Sequence, residues 1–127
     1  MARTNLDVVR EMWLAFERRG LIGILEFAAE DAVWIPYSAG GREFASTAEY
    51  RAYIETMSER EEIVEARAHE FEERDDHVLV SGSIRVRRQG ALIDTYVHWL
   101  HRIENEQVVW TASFPDRQQA LEAAGLE

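Results

Sequence analysis

The sequence predicts one α+β domain: a cone in which a curved antiparallel sheet wraps around three N-terminal helices, followed by a short C-terminal helix. With 127 residues, the chain has the length of a single domain. Helical patterns come mostly before a run of strand patterns joined by short turns. The most informative strand candidate, Thr95–Ile103, is apolar and aromatic on both faces. Such a strand must be covered twice, so we expect a pocket on one side of the sheet and a partner on the other.

The first helix is predicted over Asn5–Arg19, because Thr4 can cap its start and Gly20 can end it. Its apolar stripe at helical spacing consists of Leu6, Val9, Trp13 and Phe16. A short second helix is predicted over Leu21–Ala29. Ala32–Pro36 then has the pattern of a strand that proline stops.

A third helix is predicted after Ser46–Glu49, where the serine hydroxyl and the glutamate carboxylate can form a capping box. This helix presents Tyr50, Tyr53, Ile54 and Met57. Four strands follow, over Ile63–Glu73, His77–Arg88, Leu92–Ile103 and Val108–Phe114. Asp116 can cap a last helix, Arg117–Ala124.

Composition excludes several functions. The net charge is -10, there is no lysine, and the one dense basic run is Arg85, Arg87 and Arg88, so we expect neither nucleic-acid nor membrane binding. No signal-like or membrane-spanning apolar segment is present, so a cytoplasmic location is expected. The absence of cysteine excludes thiol chemistry. No phosphate loop or dinucleotide motif is present, so no cofactor is expected.

The order of these elements resembles the nuclear transport factor 2-like fold, and the details resemble its SnoaL-like branch. The segments that carry the resemblance are Trp13–Phe16, Gly20–Phe27, Glu30–Trp34 and Asp116–Leu126. The Asp-Gly-Lys turn that is usual in the family is here Asn105-Glu106-Gln107. The resemblance implies a homodimer that pairs through the convex face of the sheet. It also implies either a small-molecule site in the cone, with or without an isomerase or cyclase reaction, or an interaction module whose cone is filled.

The known reactions of this family need carboxylates that are missing here. The positions that would match those of a ketosteroid isomerase fall near Met12, Ile35 and Trp99. A limonene epoxide hydrolase needs an Asp-Arg-Asp set on the last two strands, and the inward candidates there are Val97, Trp99, Trp110 and Ala112. A polyketide cyclase needs an acid on the last strand, and Val108–Phe114 contains none.

Histidine is the remaining candidate for acid–base chemistry. Strand alternation places His101 and His98 on opposite faces, and the register expected from the hairpin puts His101 in the cone. A shift of one residue would put His98 there instead. His69 and His77 lie on other strands without the spacing of a metal site, so no metal is expected.

The predicted ligand is a small hydrophobic molecule, because four tryptophans come from elements that should meet inside the cone. The residues predicted to contact it are Trp13, Phe16, Trp34, Tyr37, Tyr53, Met57, Val97, Trp99, Trp110 and Phe114. Buried indole N–H groups need acceptors, and a cavity that holds water or a ligand can supply them.

Overall fold

The computed structural model describes residues 4–36, 42–57, 62–88 and 90–125. The helices are α1 (Asn5–Arg19), α2 (Leu21–Ile24), α3 (Thr47–Met57) and α4 (Arg117–Ala123). The strands are β1 (Ala28–Ile35), β2 (Glu62–Arg74), β3 (His77–Arg88), β4 (Ala91–Glu104) and β5 (Gln107–Phe114). This order confirms the α+β prediction. None of the helices in these ranges is long and apolar enough to cross a membrane.

The five strands form one sheet in the order β1-β5-β4-β3-β2. Strands β2 to β5 are antiparallel neighbours, as predicted, whereas β1 runs parallel to β5. Strand β1 begins at Ala28 rather than Ala32, because Ala28 is already extended and pairs with Val108. The second helix is correspondingly shorter than predicted, and a 3-10 turn, Leu25–Phe27, leads into the strand.

Helix α1 covers the inner face of the sheet. Its start is fixed by a capping box, in which the Thr4 hydroxyl accepts from the backbone N–H of Asp7 at 3.0 Å and the Asp7 carboxylate accepts from the backbone N–H of Thr4. The apolar side chains of α1 pack on the inward residues of the central strands. The fully buried members of this contact are Val9, Met12, Val78, Val80, Ile103 and Val108.

A β-bulge in β5 decides which of its side chains face inward. Ile103 pairs with Val108, but the preceding residue, Arg102, pairs with Trp110, so Val109 is an extra residue on β5. Beyond the bulge, the alternation is shifted by one residue. Thr111 therefore faces inward opposite His101.

Helix α4 covers part of the outer face. Asp116 caps it by accepting from the backbone N–H groups of Gln118 and Gln119, at 2.7 and 3.2 Å. The helix packs on the sheet in an apolar cluster, whose buried members are Leu79 and Leu100 of the sheet and Ala120 and Leu121 of the helix.

Candidate ligand-binding site

A cavity of about 70 Å³ lies on the inner face of the sheet, beneath α1 and α3. Three helices and all five strands contribute to its wall, which explains why residues far apart in sequence meet there. Its lining consists of Met12, Trp13, Phe16, Ile24, Trp34, Pro36, Tyr50, Ala66, Ile84, Trp99, His101, Thr111 and Ser113.

Aromatic rings in mutual contact form most of this wall. Trp13 meets Trp99 edge to face with 4.7 Å between ring centroids, and it meets Phe16 at 5.6 Å. On the other side, Trp34 stacks on Tyr50 at 4.8 Å. Such contacts pack the rings against one another and leave an apolar surface toward the cavity.

His101 is the one basic side chain among the described lining residues, and it is uncharged. Only 2% of its surface is exposed, and burial lowers its pKa from 6.5 to about 3. Its Nδ1 lies 2.9 Å from Oγ1 of Thr111, and its buried Nε2 has no hydrogen-bond partner among the described residues. A neutral imidazole with one nitrogen held by threonine keeps the other for a ligand or a water molecule.

Two indole N–H groups of the cavity wall, those of Trp34 and Trp13, also differ in whether they have a hydrogen-bond partner. Nε1 of Trp34 donates to the Thr47 hydroxyl at 3.2 Å, and this hydroxyl donates to the Ala29 carbonyl at 2.7 Å. Nε1 of Trp13 is buried without a partner in the described part of the chain. Two buried polar atoms of the cavity wall therefore have no partner among the described residues, and an unpaired buried polar group costs about 1–3 kcal/mol.

None of the described residues that line the cavity is Asp or Glu. Met12 and Trp99, two of the positions compared with catalytic residues in the sequence analysis, are part of the lining. Among the lining residues that the structure describes, the ionisable groups are His101 and Tyr50, and burial, together with the nearby Tyr53, raises the pKa of Tyr50. Both are uncharged at neutral pH.

The structure places five of the predicted residues in the lining: His101, Trp13, Phe16, Trp34 and Trp99. His98 lies on the opposite face of β4, where its Nδ1 is 2.8 Å from the Ser81 hydroxyl, so the choice between the two histidines falls on His101. Val97 has the expected inward orientation but is fully buried against Ile84 rather than lining the cavity.

The prediction that Trp110 and Phe114 face the cavity was wrong because of the bulge in β5. Trp110 and Phe114 pack on the outer face, in the cluster beneath α4 that contains Leu100. One inserted residue moves every later side chain to the other face, and nothing in the alternation of apolar residues marks the insertion.

The prediction that Tyr53 of α3 contacts the ligand was also wrong. Tyr53 packs on Phe44 and Tyr50, with ring centroids 4.9 and 6.3 Å away, and it is Tyr50 that lines the cavity. Tyr37 and the side chain of Met57 lie outside what the structure describes.

Thr111 and Ser113 are the polar lining residues that the sequence analysis did not identify. The sequence does show two hydroxyl side chains in the otherwise apolar strand Val108–Phe114, but the predicted register turned them outward.

Within the described ranges, no three His, Asp or Glu side chains come together as metal ligands would.

Comparisons with known proteins identify the family. The sequence pattern of the SnoaL-like domain matches residues 9–111. The chain belongs to the SnoaL-like domain family. The matched range holds every cavity-lining residue except Ser113, so the candidate site is built almost entirely from the family domain. No curated protein matches the sequence.

Solved structures agree with the SnoaL-like assignment. A nuclear transport factor 2-like protein of unknown function from Burkholderia pseudomallei is 26% identical, with a TM-score of 0.76 over 95% of this chain and 97% of that one. TerC, co-crystallised with polyporic acid, is 17% identical, with a TM-score of 0.74 over 93% and 95%. A candidate SnoaL-like polyketide cyclase from Mesorhizobium loti is 12% identical, with a TM-score of 0.76 over 88% and 99%. The last two identities show a shared fold and nothing more.

Proposed function

We propose that this SnoaL-like domain binds a small uncharged molecule in the cavity, and that Nε2 of His101 hydrogen-bonds a hydroxyl or carbonyl group of that molecule. The observation that carries the proposal is a fully buried, neutral histidine in an aromatic wall, with a nitrogen that has no partner in the part of the chain that the structure describes. The second unpaired atom, Nε1 of Trp13, adds a donor for the same ligand. TerC has the same fold and was co-crystallised with an organic molecule, which agrees with a binding role.

The lining favours an uncharged ligand over a charged one. A charged group that leaves water needs a partner of opposite charge, and the described lining residues offer neither a carboxylate nor a cation at neutral pH. The net charge of -10 further disfavours an anionic ligand.

The lowered pKa of His101 favours binding over acid–base catalysis. With a pKa of about 3, the imidazole is protonated in about one molecule in 10⁴ at pH 7. It is therefore a poor general acid, and as a base it is far from the pKa that suits proton transfer near neutral pH. A neutral hydrogen-bond partner that orients a ligand is the role that its environment supports best.

An NMR titration with three four-carbon probes tests the proposal. We expect 1-butanol to shift the signals of cavity residues in a saturable way, and butyrate and butylammonium to leave them unchanged. His101→Phe keeps a ring in the wall but removes Nε2, so the response to 1-butanol should weaken at least tenfold. His98→Phe, on the opposite face of the same strand, is the matched control and should respond as the native protein does. Equal responses to all three probes, or equal responses in both variants, would contradict the proposal.

We propose that two copies of the domain pair through the outer face of the sheet. Helix α4 leaves part of this face open, where the Tyr96 side chain is 74% exposed beside a groove of about 410 Å³. Arg85 and Asp94 form a bidentate ion pair there, at 2.7 and 3.3 Å, so the patch presents both signs of charge and can oppose a copy of itself.

Sedimentation velocity tests the pairing. We expect the native protein to sediment as a dimer and Tyr96→Arg to sediment as a monomer. Leu14→Arg changes an exposed residue on α1, away from the outer face, and should leave the dimer intact. A native protein that sediments as a monomer at all concentrations would exclude this interface.

A further inference from the structure

A surface groove of about 410 Å³ lies between α1 and β2, directly outside the cavity. Leu14, which is 49% exposed, contributes an apolar surface on the helix side, and Ala68 and Phe71 contribute one on the strand side. The guanidinium of Arg10 covers the ring of Phe71 at 5.3 Å. The groove is therefore apolar inside, with charged groups at its edge.

The groove and the cavity share two lining residues, Trp13 and Ala66. Since Ala66 ends at its Cβ, the indole of Trp13 is the larger part of the partition between the two spaces. Trp13 is held by ring contacts with Trp99 and Phe16, and no described residue accepts from its Nε1. Trp34, by contrast, is tied to Thr47. A rotation of the Trp13 side chain would break no hydrogen bond.

The volume of the cavity makes this partition important. A volume of about 70 Å³ exceeds the roughly 30 Å³ that one water molecule occupies in the liquid, so the cavity has room for a polar head with a short tail but not for a longer chain. The adjoining groove is several times larger, and the side chains of Trp13 and Ala66 separate it from the cavity.

We infer that Trp13 is a gate that joins the cavity to this groove, and that the ligand is an uncharged amphiphile with a hydroxyl or carbonyl head at His101 and an unbranched apolar tail between α1 and β2. This inference rests on the proposed function of the cavity. It adds the class of ligand and identifies Trp13 as the residue that determines ligand length. The apolar surfaces of Leu14, Ala68 and Phe71 bind the tail, and its burial there supplies most of the affinity.

A series of straight-chain alcohols from 1-butanol to 1-octanol tests the inference by NMR titration of the native protein. Affinity should rise about fourfold for each added methylene once the tail enters the groove. Leu14→Glu places a charge on the exposed helix side of the groove with little risk to folding, and Ala68→Phe fills the strand side. Both should reduce the affinity for 1-octanol at least tenfold and leave that for 1-butanol unchanged. Leu92→Glu, at an exposed position on the other side of the sheet, is the control and should change neither.

The outcomes distinguish a failure of the inference about the groove from a failure of the proposed binding function of the cavity. If 1-butanol binds and 1-octanol binds no tighter, or if Leu14→Glu leaves 1-octanol binding intact, the groove has no role and only the proposed function stands. If no alcohol binds, the proposed function fails and this inference fails with it.

Discussion

Replacing His101 by asparagine should remove much of the dependence of stability on pH between pH 5 and pH 7. Burial lowers the pKa of His101 from 6.5 to about 3 in the folded protein. Below pH 6.5 the unfolded chain therefore binds a proton at this residue that the folded chain does not bind. Stability falls as the pH drops from about 6.5 toward 3, and the contribution is constant above that window.

The size of this effect follows from the shift. One pH unit of differential protonation corresponds to about 1.4 kcal/mol, and at pH 5 the unfolded imidazole is about 1.5 units below its pKa. Between pH 7 and pH 5, the free energy of unfolding of the native protein should therefore fall by about 2 kcal/mol more than that of His101→Asn. Carboxylates held by arginine, such as Glu72 with Arg117 and Asp94 with Arg85, add a background that both proteins share.

Urea unfolding followed by tryptophan fluorescence at several pH values measures this difference. Thr111→Val is the matched control, because it removes the hydrogen-bond partner of Nδ1 but leaves the imidazole buried. It should lower stability and keep the native pH dependence. If the free energies of unfolding of the native protein and of His101→Asn differ by the same amount at every pH from 5 to 7, the buried neutral state of His101 is refuted.

Three further predictions concern the fold and can be checked by urea unfolding at pH 7. Gly82→Ala should cost about 3 kcal/mol, because its Cβ would stand 1.9 Å from the carbonyl oxygen of Arg67; a loss under 1 kcal/mol would contradict this contact. Asp116→Ala should cost about 1 kcal/mol through loss of the α4 cap, and an unchanged stability would mean that the cap is not formed. Leu79→Ala should cost about 3 kcal/mol because the side chain is buried, whereas Leu92→Ala, at a position that is 56% exposed, should stay within about 0.5 kcal/mol; equal losses would contradict the packing beneath α4.

The fold could be predicted because local signals agree with the global arrangement. Thr4 and Asp116 have the side chains that cap helices, and both form these caps. On β3, the alternation of Val80 and Ile84 with Ser81 and Ser83 assigns the inner face, because the two apolar side chains are buried and the two serines are not. Where one face of a strand is buried and the other is not, the sequence records which is which.

The candidate site was less predictable, because single-residue shifts decide it. The bulge at Val109 turned Trp110 outward and Thr111 inward, although both strand faces contain large or buried residues that fit either register. On α3, Tyr50 and Tyr53 lie on adjacent stripes of the helix, and only packing against Trp34 selects Tyr50. Hydrogen-bond satisfaction, which distinguishes Trp13 from Trp34, is a property of the folded chain that no sequence pattern carries.

The most direct test of the central claim is a crystal structure of the protein soaked with 3-bromo-1-propanol, in which anomalous scattering locates the bromine. The claim is that a cavity with an aromatic wall, and with no carboxylate among its described lining residues, binds an uncharged ligand through His101. It predicts a bromine peak beside Trp13 and Trp99, with the hydroxyl oxygen within hydrogen-bond distance of Nε2 of His101. Bromine confined to the outer face of the sheet or to the surface, with the cavity unchanged, would contradict the claim.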